Sequence, residues 1–185
     1  QELQQHSLVI NEHVFHLQEL VSQAGYLLSD EQEILLSKMK MTGSSAWATL
    51  QQKLTSTLLV DVILDGEEKK LPLPVIRNMA HDPNPVIRKK AFEAELASYK
   101  KIQESSAACL NGIKGEVLTL SKVRGYQSPL HKTLNDSRMD QATLDAMLSA
   151  MEESLPVFHK YFQTKARLLG YKRGLPFYEM FAPMG

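Results

Sequence analysis

The sequence predicts a mainly α fold: long amphipathic helices packed as an irregular bundle, with one small β-hairpin. Three observations carry that reading. Apolar residues recur at alternating four- and three-residue steps through 92–120 and again through 144–162, the spacing of one helix face. Only 58–64 alternates instead with a period of two, the mark of a half-buried strand. Gly, Pro and Asn clusters separate these stretches and punctuate the chain into elements.

Leu3, His6, Ile10, His13, Leu17, Leu20, Ala24 and Leu27 fall at helical spacing and predict a helix over 3–28 with a Gln/Glu face. Ser29 with Gln32 three residues on reads as a capping box opening a second helix to about Lys40. Residues 42–45 read as a turn, and Trp47, Leu50 and Leu54 form a further short helical face. Leu58, Val60, Val62 and Leu64 then alternate up to Asp65-Gly66, a strong hairpin signal. A two-residue turn there sets Leu58 opposite Leu73 and Val60 opposite Leu71 on one face. On the other face it sets Asp61 opposite Lys70, so charge and hydrophobicity agree on one register over 58–73. An isolated hairpin is barely stable, so this one is expected to lie on helices.

Residues 74–80 read as a short helix. Asn84 is a good N-cap and Pro85 suits the first helical position. From there to Arg124 a long helix is predicted, its seam filled by Phe92, Leu96, Tyr99, Leu110, Ile113, Val117 and Leu120 and interrupted by Gln103 and Ser106. Such a seam favours long helices packed nearly parallel or antiparallel. Gly112 and Gly115 each cost about 1 kcal/mol against Ala in a helix interior, and mark either a bend or a close approach. Gly125 stops the helix in a left-handed conformation, so Gly125→Val is expected to cost more than Gly43→Val. Asp140 caps a second long helix through Leu144, Leu148, Met151, Leu155, Phe158 and Phe162 to Leu169, which Pro156 is expected to kink or split. Gly170 fits its C-terminal cap, with Lys165 and Arg167 in the last turn. No period of 20–50 residues recurs, so no solenoid is evident.

The 185 residues make one domain or two. Lys plus Arg, 21, balance Asp plus Glu, 21, so no broad basic surface, and no nucleic-acid partner, is expected. The single cysteine, Cys109, excludes an internal disulfide and a multi-cysteine zinc site and suits a reducing compartment. The longest strictly aliphatic run is Leu58-Leu59-Val60, far short of the ~20 residues of a membrane span. No membrane contact and no signal peptide are expected. The chain opens on Gln1 and closes on Met184-Gly185, and both ends read as cut.

Candidate chemistry is sparse. His13 and His16 lie three apart on a helix, a spacing that can serve one metal, but no third ligand completes a site, and two partly exposed helix histidines are the better reading. Cys109 reads as a small buried thiol. Ser44-Ser45 and Ser105-Ser106 lack a nucleophile-elbow context. Lys122, Arg124 and Lys132 form a basic cluster of the kind found at solvated helix ends. Residues 82–91, Asp-Pro-Asn-Pro-Val-Ile-Arg-Lys-Lys-Ala, look like one unit of a HEAT repeat, whereas a solenoid needs about three.

Arg124-Gly125-Tyr126-Gln127-Ser128-Pro129-Leu130 resembles the Arg-Gly-Tyr-x-Ser-Pro-Leu segment of oligoendopeptidase F and its thimet-type zinc metallopeptidase relatives. Lys165-Ala166-Arg167-Leu168-Leu169-Gly170 resembles that family's Lys-Ala-x-x-Leu-Gly, and Tyr178-Glu179-Met180-Phe181-Ala182-Pro183 its Tyr-Asp-x-x-Ala-Pro, with Glu179 where Asp is usual. Trp47 before a hairpin, and the Asp-Pro turn leading to Arg88 and Ala91, follow the same order. The resemblance covers roughly 42–185.

The resemblance implies an N-terminal helical domain, spanning 1–185, of a longer cytoplasmic zinc metalloendopeptidase that acts on short peptides. In that family the helical part forms one wall of a channel over the zinc. The His-Glu-x-x-His helix and a later Glu lie downstream of the Ala-Pro segment, so no catalytic, cofactor-binding or metal residue carries over to this chain, and the zinc belongs to the absent catalytic domain. The implied partners are oligopeptides and that catalytic domain. Arg124-Gly125-Tyr126 is expected to act as a helix stop rather than a substrate contact. The alternative is a stand-alone helical HEAT-like interaction module.

Overall fold

The computed structural model describes residues 8–185. The start of the first expected helix lies outside the described residues. The remainder is two helices, α1 (Leu8–Glu12) and α2 (Val14–Ala24), parted at His13. α3 (Asp30–Thr42) opens on the expected capping box: Ser29 Oγ accepts from the Gln32 N–H, and Gln32 Oε1 accepts from the Ser29 N–H. Only Gly43 separates α3 from α4 (Ser44–Ser56), so the turn expected over 42–45 shrinks to one residue. The cap of α4 comes from far away. The Glu116 carboxylate accepts from the Ser44 N–H at 2.7 Å and from Ser44 Oγ at 2.5 Å, placing negative charge at the positive end of the helix.

β1 (Leu59–Leu64) and β2 (Glu67–Pro72) pair antiparallel in the expected register, Val60 opposite Leu71 and Asp61 opposite Lys70. One step beyond, the Leu73 N–H donates to Leu58 O at 2.9 Å. Asp65 and Gly66 both take positive φ, 53° and 86°, as a type I′ turn requires. The hairpin does lie on helices. Its apolar face of Leu58, Val60, Val62 and Leu64 forms the core with Leu73 and Ile76 of α5 (Leu73–Asn78) and Ala91 of α6 (Pro85–Ser98). Asn84 caps α6 through a 2.9 Å bond from the Val86 N–H, with Pro85 first in the helix.

The continuous helix expected over 85–124 is broken. A 3-10 turn spans Tyr99–Lys101, and α7 (Gln103–Val123) begins afresh. The two halves serve different neighbours, α6 packing on β1 and α7 on α4. Their buried residues are Arg88, Ala91 and Ser98, then Cys109 and Ser121, while Leu96, Leu110 and Val117 of the expected seam are exposed. Small residues line α7 where α4 comes close: a Cβ on Gly112 would sit 2.7 Å from the Trp47 ring. Close approach is therefore the reason for Gly112, whereas Gly115 faces open space.

α7 ends at Gly125, φ 81°, with the Tyr126 N–H donating to Ser121 O at 2.9 Å and the Gly125 N–H to Lys122 O, a Schellman stop. After α8 (Pro129–Asp136), α9 (Gln141–Leu168) starts under the Asp140 cap and runs through Pro156 without a split. It closes in a second Schellman stop at Gly170, φ 85°. Among the described residues no helix is long and apolar enough to cross a membrane.

Candidate functional site

Three of the segments that carry the family resemblance, those holding Arg88, Lys165 and Glu179, meet in space, and their charged residues are used in holding them together. Arg88, on the first turns of α6, is buried. Its Nε donates to Glu179 Oε2 at 3.1 Å and its Nη2 to the same oxygen. Its Nη1 donates to Asp82 O at 2.5 Å and Pro83 O at 2.9 Å. The Asp-Pro turn is thus the seat of an arginine. It is shaped for that task by an Asx turn, with Asp82 Oδ1 accepting from the Asn84 N–H at 2.7 Å. Glu179 Oε1 accepts from the Tyr171 hydroxyl at 2.9 Å. Burial, helped by this bond to Glu179, pushes the Tyr171 hydroxyl pKa up to about 12.

Lys165 completes the arrangement. It is buried on the last turn of α9 and donates to Met180 O and Ala182 O, both at 2.8 Å. A buried ammonium is costly unless its donors are used, and here it ties two carbonyls of the C-terminal segment to the end of α9. The sequence placed Lys165 only in the last turn of the helix and did not show this role. The signal was present in the quoted motifs, since Arg88, Lys165, Glu179 and Ala182 all stand in them. Their contact was not, because 91 residues separate Arg88 from Glu179. Beside this clamp lies a cavity of about 320 Å³ lined by Ile76, Arg77, Phe92, Phe177, Tyr178 and Phe181.

The Arg124-Gly125-Tyr126 stop makes a second clasp. Arg124 is not a solvated helix-end charge. It grips both oxygens of Glu33 at 2.6 and 2.7 Å and donates to Tyr26 O at 3.0 Å. Tyr126 packs back on Tyr26, ring centroids 3.9 Å apart and nearly parallel. The Arg124 bond, then the Leu28 N–H, hold the Glu33 carboxyl below its usual range. The stop therefore fastens the α2–α3 junction to the α7–α8 junction.

Cys109 is fully buried. His13 and His16 are exposed on the first helices. Among the described residues no three His, Cys, Asp or Glu side chains come together as a metal site would need.

Comparison with known proteins agrees with the motifs. The profile of Peptidase family M3 matches residues 78–182 and that of Oligopeptidase F residues 1–58. The chain is 21% identical over 170 residues to Oligopeptidase PepF of Bacillus subtilis, covering 91% of this chain and 25% of that protein. It is 22% identical over 162 residues to the Group B oligopeptidase PepB of Streptococcus agalactiae, covering 86% of this chain and 27% of that one. The chain therefore spans about a quarter of the length of these curated relatives. Among solved structures, oligoendopeptidase-F from Enterococcus faecium superposes with a TM-score of 0.80 at 22% identity, over 98% of this chain and 36% of that one. A peptidase structure from Chlamydophila abortus gives 0.78 at 18% identity, over 96% and 30%. The match of more than half the chain to one family profile, with the motif residues clamped together in space, places this chain in peptidase family M3, on the side of oligoendopeptidase F.

Proposed function

We propose that this chain is the non-catalytic N-terminal part of a cytoplasmic oligopeptidase and forms one wall of the channel that admits short peptides to a zinc site elsewhere in the longer polypeptide. The observation that carries the reading is that a chain matching the M3 profile spans only about a quarter of the length of its relatives. The clamp supports the mechanical part of the role. A wall excludes folded chains only if it is stiff, and Arg88, Lys165 and Glu179 pin the C-terminal segment to α6 and α9. A zinc held elsewhere in the longer polypeptide would supply an activated water for peptide hydrolysis, while this part would sort substrates by size.

The test is hydrolysis of peptides of graded length by the polypeptide of the full reading frame, with and without residues 1–185. Cleavage of short peptides, with selectivity for length lost on deletion, is expected, as is an inert isolated chain. Peptide cleavage by the isolated chain, or a stop codon directly after Gly185, would overturn the proposal.

A further inference from the structure

Charge is spread unevenly along the last part of the chain. From Ser154 to Tyr178 there are five Lys and Arg and no Asp or Glu. Lys165 is committed to two carbonyls. The others, Lys160, Arg167, Lys172 and Arg173, are exposed, and no ion pair among the described residues includes them. The carboxylate that follows, Glu179, is buried and already holds Arg88 and Tyr171. Arg167 suits the negative end of α9. Lys172 and Arg173 stand beyond the Gly170 stop, outside the last turn where the dipole acts, so the helix does not account for them.

The loop that carries this pair also offers free donors. The backbone N–H groups of Lys172, Arg173, Gly174 and Leu175 donate to no acceptor among the described residues. Gly174 takes φ 121°, a course open to glycine and little else. Successive unpaired N–H groups in a turn are a seat for anions, including the carboxylate that ends a peptide. Gly174 and Leu175 go on to line a cavity of about 340 Å³, with Phe162 of α9 and Pro176, Phe177 and Met180. That is near the lower bound of small-molecule sites, about 300 Å³, and is room for one large apolar side chain. Two cations, four free donors and the edge of an apolar cavity thus share residues 172–175.

We propose that residues 172–175 and this cavity form a binding site for the free C-terminal end of an oligopeptide whose last side chain is apolar. Lys172, Arg173 and the loop N–H groups take the carboxylate, and the cavity beside Phe162 takes the side chain. The spacing selects this occupant. A free C-terminus carries its carboxylate and its last side chain on one Cα, so charge and apolar surface arrive one residue apart, as the site offers them. An internal Asp or Glu brings charge without the apolar group, and an inorganic anion brings nothing for the cavity. This inference rests on the reading of the chain as a wall of a peptide channel, and it names the end of the peptide that the wall holds.

The test is fluorescence anisotropy of this chain with an N-terminally labelled hexapeptide of Ala and Ser that ends in a leucine with a free carboxylate. The same peptide amidated at its C-terminus should bind about tenfold more weakly, the scale of a lost charge-assisted hydrogen bond. A free-acid peptide ending in glycine should also lose about tenfold, for the side chain no longer buried. Lys172→Glu with Arg173→Glu should bring the free acid down to the level of the amide. Lys38→Glu with Lys40→Glu, the same charge change on exposed α3 residues, should not. In the polypeptide of the full reading frame the first pair should raise KM for the free-acid peptide and leave the amide unchanged. Equal binding of acid and amide by the parent chain overturns the proposal, and needs no variant to fold. So does equal binding of an amidated peptide with one internal Asp, which would mean attraction to any anionic peptide. An unchanged KM in the longer polypeptide overturns it as well. Hydrolysis is read separately. A longer polypeptide that cleaves nothing, beside a chain that prefers the free acid, keeps the site and removes the peptidase reading. Length-selective cleavage, beside a chain that treats acid and amide alike, does the reverse.

Discussion

Two arginine–glutamate pairs, each joining residues 91 positions apart, hold this chain together in different ways. Arg88 and Glu179 are buried, with side chains 3% and 0% exposed. Arg124 and Glu33 are partly wet, at 19% and 31%. In the buried pair the arginine also spends donors on two carbonyls and the glutamate accepts a tyrosine hydroxyl. The wet pair has better fork geometry, two oxygens met by two nitrogens, but water can replace much of what it offers. Charge in a low-dielectric site must be neutralised and hydrogen-bonded or it is costly, whereas a surface pair adds little. The difference shows which motif residues hold the fold and which one trims it.

The sharpest way to break the comparison is to strand one buried charge. Arg88→Met leaves Glu179 without its counter-charge and should cost about 3–5 kcal/mol, read by urea denaturation. Arg88→Met with Glu179→Met removes both charges and should recover most of that loss. If the double variant is no better than the single, the pair is not what makes the site costly.

The hairpin was legible down to its register, because Asp65-Gly66 fixes the turn and the alternation of 58–64 leaves one face to bury. The helix caps at Ser29, Asn84 and Asp140 were legible for the same reason: each is a bond between near neighbours. The seam over 92–120 misled. Leu96, Leu110 and Val117 suggested a buried line, yet the helix breaks at Tyr99–Lys101 and α4 comes closest at Gly112, under the Trp47 ring, where closeness counts more than apolar area. The clamp residues were visible as motif letters but not as partners, since no local pattern encodes a contact across 91 positions. Nor did sequence show that Lys165 turns inward to two carbonyls.

Next in size come two glycines, and here the structure reverses the order expected from sequence. Gly125 takes φ 81° with nothing near its missing Cβ, so Gly125→Val should cost about 1–2 kcal/mol in left-handed strain. Gly43 has φ −90° and no such strain, but a Cβ there would lie 2.6 Å from Glu116 Oε2 and 3.0 Å from Met39 O. Gly43→Val therefore meets overpacking of about 1–3 kcal/mol and the loss of the Glu116 cap, about 1 kcal/mol. Thermal melts should rank Gly43→Val below Gly125→Val, and the opposite rank would show that Glu116 moves aside freely.

A smaller effect separates the pairs by salt. Arg124→Ala should cost about 1 kcal/mol, the scale of a surface pair with good geometry. That cost should shrink as salt rises to 1 M, where the screening length falls to about 3 Å. The cost of Arg88→Met should hardly change, because buried charges are poorly screened. Equal salt sensitivity in the two variants would contradict their different burial.

The smallest effects should appear at opposite ends of the pH scale. Glu33 titrates below its ordinary value because Arg124 bonds its charged form. A lowered carboxyl pKa gives stability that is present above the unfolded value of 4.5 and is lost as pH falls through the folded one. The wet clasp should therefore loosen in acid, and Glu33→Gln should narrow the gap in melting temperature between neutral and acid solution. Tyr171 lies on the other side. Its pKa rises from 10.0 to about 12, so the folded state holds the proton that the unfolded state has released. Its stabilisation is whole below pH 10 and drains away as pH climbs towards 12. Tyr99 and Tyr126 are also raised by burial and contribute to any alkaline loss, so the parent's profile alone does not isolate Tyr171. The difference between the parent and Tyr171→Phe does. That difference should be steady up to pH 10 and then shrink, as the parent loses a contribution the variant never had. A gap that stays constant into alkali would mean Tyr171 keeps no proton for Glu179, and that the buried clamp closes without it.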